Sequence, residues 1–146
     1  MRKNYTRIEF EALPQNQSFA RAVVSAYVAA KDPTVEELTE IKTAVSEAVS
    51  NAIIHGYGKK GEGTILMELE ELAPDKLCIR ITDYGIGIPD VKKAMEPMFS
   101  TEAKQEMSGM GFTVMESFMD KVLVEAKPGE GTVVTLVKYL DTYYGL

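Results

Sequence analysis

The sequence predicts an α/β fold, a two-layer sandwich of helices on a mostly antiparallel sheet. Three observations predict it. Apolar residues recur at helical period in two long stretches, 16–31 and 36–57. Five shorter stretches read as strands, most plainly where apolar and polar residues alternate. Two pairs of these strands are joined by hairpin turns, at Pro74-Asp75 and at Pro128-Gly129-Glu130-Gly131, so their partners run antiparallel. With 146 residues, a single domain spanning 1–146 suffices to bury a core.

Tyr5 to Leu13 sets Ile8 and Phe10 against Arg7 and Glu9, as a half-buried strand does, and Pro14 ends it. From Asn16 to Lys31 the positions Phe19, Val23, Ala26, Tyr27 and Ala30 fall on one helical stripe, with Arg21 turned outward. Asp32-Pro33 breaks this helix. Thr34 followed by Glu37 makes a capping-box start for the next, and Gly56 and Gly58 supply its stop. That second helix carries Leu38, Ile41, Val45, Ala48, Val49 and Ala52 as an apolar stripe, with Glu40, Thr43, Glu47 and Asn51 opposite. Strands follow at Thr64–Glu71 and Lys76–Thr82. In the latter, Leu77, Ile79 and Ile81 alternate with Cys78, Arg80 and Thr82. A short helix at Val91–Met95, an aperiodic stretch at 97–110 suited to a lid, and a helix from Gly111 to Met119 come next. Strands at Val122–Ala126 and Thr132–Tyr139 complete the sheet.

The composition is globular, with 45% hydrophobic and 26% charged residues. Sixteen basic against 22 acidic residues give a net charge of -6, which argues against a nonspecific nucleic-acid binder or a polybasic membrane binder. Cys78, the single cysteine, excludes an internal disulfide or a cysteine metal cluster and reads as inert core. The N-terminus lacks the apolar run of a signal peptide, and no stretch approaches the ~18 apolar residues of a membrane span. A cytoplasmic protein is expected.

Residues four apart on a helix stand one turn above each other. Glu47 and Asn51 therefore present a carboxylate and a carboxamide side by side, either as a solvated polar face or as a site for a metal or phosphate. Asp83-Tyr84-Gly85-Ile86-Gly87 is a tight turn whose glycines let backbone come close to a ligand. Ser108-Gly109-Met110-Gly111-Phe112 opens a helix, where free backbone N–H groups face an anion. Gly131-Thr132 enters a strand. Each segment alone is weakly specific, but their order is improbable by chance.

Together they resemble the GHKL superfamily of ATP-binding domains over nearly the whole chain from Glu36 to Leu136. The wording of Ser46–Tyr57, Asp83–Asp90 and Ser108–Glu116 is similar to the anti-sigma F family of endospore-forming bacteria, whose members are serine kinases and sigma-factor inhibitors at once. The resemblance implies ATP and Mg2+ as cofactors. It implies that Asn51 ligates the Mg2+ bridging the phosphates, and that Glu47 is the general base for a serine hydroxyl. Asp83 would accept from the adenine amino group with help from Thr132, and Gly85, Gly87, Gly109 and Gly111 would admit the nucleotide. The pattern departs at Met107, where the family has a basic residue before Ser108, and Lys104 is a nearby substitute. Arg21 would meet both partners, the sporulation sigma factor F and an anti-anti-sigma protein substrate. A homodimer is implied, and the uncovered sheet face could supply its surface. His55, without a phospho-acceptor domain before it, reads as structural. The competing readings are a related stress-response anti-sigma switch kinase, a non-catalytic nucleotide-gated binding module and a histidine-kinase catalytic fragment. Phosphoryl transfer needs chiefly positioning and charge neutralisation, so one base, one oxygen ligand and a hard cation suffice.

Overall fold

The computed structural model describes residues 3–58, 62–88, 95 and 111–141. The expected helix at Val91–Met95 and the lid at 97–110, with Lys104, Met107, Ser108 and Gly109, lie outside the described residues, apart from Met95 itself.

Five strands form one sheet in the order β1-β2-β3-β5-β4: β1 Tyr5–Glu11, β2 Thr64–Ala73, β3 Lys76–Asp83, β4 Lys121–Lys127 and β5 Gly131–Tyr139. Every pairing is antiparallel. Strict alternation sorts the side chains by face. Ile8, Met67, Ile81, Val134 and Val124 stand in register across the sheet on the face toward the helices. Register is thereby fixed, since a slip of one residue would turn this row to the other face. Cys78 is buried as expected, but with Leu66 and Val137 on the face away from the helices. Burial raises its thiol pKa, which keeps it an unreactive thiol.

Helices α1 (Asn16–Ala29), α2 (Val35–Asn51) and α3 (Gly111–Phe118) cover the other face. In α1 the buried stripe is Ala20, Val24 and Val28, one position on from the expected one. Ala26 and Ala30 are exposed, and Phe19 stays about half exposed while meeting Phe10 edge-on at 6.1 Å between ring centroids. Val23 and Tyr27 pack at the margin of the core. Two apolar stripes run side by side on this helix, and the one made of alanine and valine allows the closer helix approach. Asp32, at φ 52, takes the left-handed turn that separates α1 from α2.

In α2 the expected stripe is buried at Ile41, Val45, Ala48 and Val49, joined by Ala44. Its last turn widens into a π-turn, Ala52–Gly56, where the expected single helix changes hydrogen-bond pattern. The capping box forms in both directions: the Thr34 hydroxyl accepts from Glu37 N at 3.0 Å, and the Glu37 carboxylate accepts from Thr34 N at 2.9 Å. The same buried carboxylate accepts from Asp141 N at 2.6 Å, tying the helix start to the end of β5. Replacing Thr34 by Ala should cost about 1 kcal/mol. Glu37→Ala should cost at least twice that in denaturant unfolding, because it leaves the Thr34 and Asp141 N–H groups together without their carboxylate acceptor.

Candidate nucleotide site

Glu47 and Asn51 lie on α2 toward the first residue of α3. A Cβ on Gly111 would stand 3.3 Å from the Glu47 carboxylate and 3.2 Å from the Asn51 amide, so glycine keeps open the space that both side chains face. Glu47 is half buried, and desolvation lifts its carboxyl above the ordinary range. A proton acceptor raised in this way is better matched to work near neutral pH.

The second part of the site is Asp83 at the end of β3, 5% exposed. Its Oδ1 accepts from Gly85 N at 3.0 Å, and a further backbone N–H from Thr132, its neighbour on β5, supports the charge. Burial outweighs both and pushes the carboxyl up to about 6. Thr132 is itself buried.

These two parts are joined by the chain's own backbone. A Cβ on Gly56 would come within 2.8 Å of the Asp83 carboxyl carbon, and one on Gly85 would overlap the Gly56 carbonyl oxygen. That oxygen accepts from Ile86 N at 3.1 Å. Gly87, at φ 77, leaves no room for a Cβ against the Lys127 carbonyl, and Gly129 N donates to Ile86 O at 2.7 Å. The first demand on Gly85 and Gly87 is therefore contact between the turn and its neighbouring segments, a demand the motif alone did not reveal.

Tyr57 has a role that the sequence motifs do not announce. Its hydroxyl accepts from Tyr84 N at 2.6 Å and donates to Thr64 O at 2.7 Å, which pins the residue after Asp83 to the start of β2. The clue was the glycine at 63, where φ is 122 and a Cβ would collide with the Tyr57 ring. His55 sits half buried in the π-turn.

Arg21 is not the outward-turned charge that the helical spacing suggests. It lies half buried against α2, its Nη1 donating to Ser46 Oγ at 2.9 Å and its Nη2 to Ser18 Oγ at 3.1 Å. Ser46 immediately precedes Glu47, so the arginine reaches in space a motif from which it is remote in sequence.

This frame of a helix-borne carboxylate and amide facing a glycine-led helix, with a buried aspartate at a strand end, defines a nucleotide-binding domain of the histidine kinase type. The histidine kinase-like ATPase domain family matches residues 10–138. An anti-sigma F factor of Bacillus licheniformis is 50% identical over 95% of this chain and 94% of its own length. One from Pasteuria penetrans is 47% identical over 97% of this chain and 94% of its own length. In fold, the chain is similar to the solved structure of the RsbU and RsbW domains of Rv1364c from Mycobacterium tuberculosis, with a TM-score of 0.67 at 20% identity, covering 94% of this chain and 32% of that one. The chain belongs to the histidine kinase-like ATPase domain family and, within it, to the anti-sigma F factors.

The raised Asp83 carboxyl has a measurable consequence for stability. Because its folded value lies above the ordinary 3.8, the native state holds more protons than the unfolded chain between pH 3.8 and about 6, and stability falls as pH rises through that window. Asp83→Asn removes the buried charge while keeping an acceptor for Gly85 N. At pH 7.5 it should unfold about 1–2 kcal/mol less readily than the parent, with the gain shrinking toward pH 4. Thermal melts at the two pH values check this.

Proposed function

We propose that this anti-sigma F factor binds Mg-ATP between α2 and α3, holds the sporulation sigma factor F inactive, and phosphorylates a serine of an anti-anti-sigma protein. The observation that carries the reading is the pairing of Glu47 and Asn51, one turn apart, over the space that Gly111 leaves open. Nucleotide binding follows from the family; the assignment of roles to individual residues is our own reading.

Asn51 suits Mg2+ as a hard oxygen donor, since that ion keeps several waters and takes most other ligands from phosphates, needing few from protein. When bound, Mg2+ neutralises charge on the transferring phosphoryl group. Glu47 accepts the proton of the substrate serine. As the serine oxygen forms its bond to the γ-phosphorus, the bond from that phosphorus to the bridging oxygen breaks, and ADP departs with the electron pair. Asp83 accepts from the adenine amino group, with Thr132 beside it. Gly111 and the start of α3 offer backbone N–H groups to the phosphates. The stretch 97–110, with Lys104, Ser108 and Gly109, enters from the sequence alone as a lid over the nucleotide. Arg21 is the partner-facing cation. A homodimer and a cytoplasmic setting belong to the same reading; among the described residues, no helix is long and apolar enough to cross a membrane.

Glu47→Gln keeps the side-chain volume and removes the proton acceptor. It should bind Mg-ATP about as well as the parent by titration, yet lose on the order of 10²- to 10⁴-fold in serine phosphorylation. Equal losses in ATP affinity and turnover would assign Glu47 to binding and leave the base unidentified.

A further inference from the structure

Lys138 stands on β5 beneath the two helices that face each other across the site. Strand alternation puts it in line with Val134 and Leu136, on the face toward the helices. Its ammonium pairs with the Glu40 carboxylate of α2 at 3.3 Å and donates to the carbonyl of Phe118, the last residue of α3, at 2.6 Å. The lysine side chain is only 12% exposed, so solvent ions screen this contact less than a surface pair. The Phe118 carbonyl is among the four that a helix leaves without an internal partner at its end. Since α3 has no basic residue in its own last turn, Lys138 supplies the cation that a helix C-terminus favours.

The spacing along the two helices gives this contact its meaning. Glu47 lies seven residues after Glu40 on α2, and Gly111 lies seven residues before Phe118 on α3. Seven residues are almost two turns, a rise of about 10.5 Å, so Glu40 and Glu47 share one side of α2, as Gly111 and Phe118 do of α3. Helix α2 runs from the ammonium toward the site, and α3 runs back from the site toward the ammonium. The space that Gly111 leaves open before Glu47 and Asn51 is thus at one end of the helix pair, and Lys138 is at the other. Two further bonds fix the turn after α3 to the same strand: Asp120 N donates to Val137 O at 2.9 Å, and Tyr139 N donates to Asp120 Oδ2 at 2.7 Å. Both hold α3 to the sheet, whereas Lys138 joins α3 to α2.

We propose that Lys138 is a positioning residue for phosphoryl transfer: by drawing Glu40 and the Phe118 carbonyl onto one ammonium, it sets the distance between α2 and α3 and so the width of the space between Gly111 and the Glu47–Asn51 pair. It stands about two turns from that space and acts only through the helices it joins. Without the ammonium, α3 keeps its anchors on β5 but loses its fixed distance from α2, and the proton acceptor shifts relative to the phosphates held at Gly111. A misplacement of about 1 Å can cost on the order of 10²-fold in rate. This inference rests on the kinase reading above.

The test is steady-state phosphorylation of the anti-anti-sigma protein by the full chain, comparing Lys138→Met, Glu40→Gln and the double variant. Lys138→Met keeps an unbranched stem and removes the ammonium; Glu40→Gln keeps an acceptor and is the milder change. Thr34→Ala, which weakens the start of α2 without touching this contact, is the control for lost stability. All are assayed at a temperature where circular dichroism shows them folded. Lys138→Met should lower kcat by about tenfold or more, with KM for the protein substrate within about twofold of the parent, and Glu40→Gln should lower kcat several-fold. The double variant should be no slower than Lys138→Met, since both changes release the same contact. Thr34→Ala should melt lower yet keep kcat within about twofold. An unchanged kcat in Lys138→Met, a loss confined to KM for the protein substrate, losses that multiply in the double variant, or an equal fall in kcat in Thr34→Ala overturns the proposal. If Lys138→Met does not fold, Glu40→Gln decides on the same kcat and KM criteria. Parent protein that binds Mg-ATP but phosphorylates no serine removes the kinase reading itself, and the inference with it.

Discussion

The close backbone contact between the π-turn at the end of α2 and the turn leaving β3 is the constraint on which the remaining structure depends. Gly56 offers its carbonyl to Ile86 N at 3.1 Å and leaves space for the Asp83 carboxyl, while Gly85 has no side chain to hold the two segments apart. The Asp83 end of the site and the Glu47–Asn51 end are carried by different layers of the sandwich. This contact, reinforced by Tyr57 spanning Tyr84 N and Thr64 O, fixes one against the other. A nucleotide reaching from adenine to γ-phosphate needs that separation held constant, because misplacement by about 1 Å can cost on the order of 10²-fold in rate.

Helix α2 then serves three surfaces at once. Its apolar stripe at Ile41, Val45, Ala48 and Val49 is the centre of the core. Glu47 and Asn51 look toward α3. Lys42 and Ser46 look toward α1 and Arg21. A partner that draws Arg21 away from Ser46 acts one residue from the proposed base, so binding and chemistry share a single rigid element.

Much of this was legible in the sequence because several signals agreed. The Thr34–Glu37 capping box, the α2 stripe, the two hairpin turns and all five strands form as read, with boundaries moved by a residue or two. Asp83 and Thr132 were named from motifs in separate strands, and the register sets them opposite each other. What escaped had physical reasons. The α1 stripe buried in the fold lies one residue on from the one that spacing suggests, because two apolar stripes adjoin and only packing chooses between them. The π-turn leaves no mark in hydrophobic periodicity. Tyr57 acts through its hydroxyl on two main-chain groups, which no side-chain pattern encodes, and Ser46, one of the two neutral partners of Arg21, lies on another helix. The motif suggests that the glycines of the Asp83 turn make room for a ligand, whereas a Cβ on Gly85 or Gly87 would meet the Gly56 or Lys127 carbonyl first.

The most direct test of the central contact is a Gly85→Ala substitution, followed by circular dichroism and Mg-ATP titration. The added methyl overlaps the Gly56 carbonyl, so the two turns must separate while the strands and helices remain. Native-like secondary structure together with a loss of ATP affinity on the order of tenfold or more, about 1.4 kcal/mol, is the result this account requires. Gly85→Ala protein that binds Mg-ATP as tightly as the parent would contradict it.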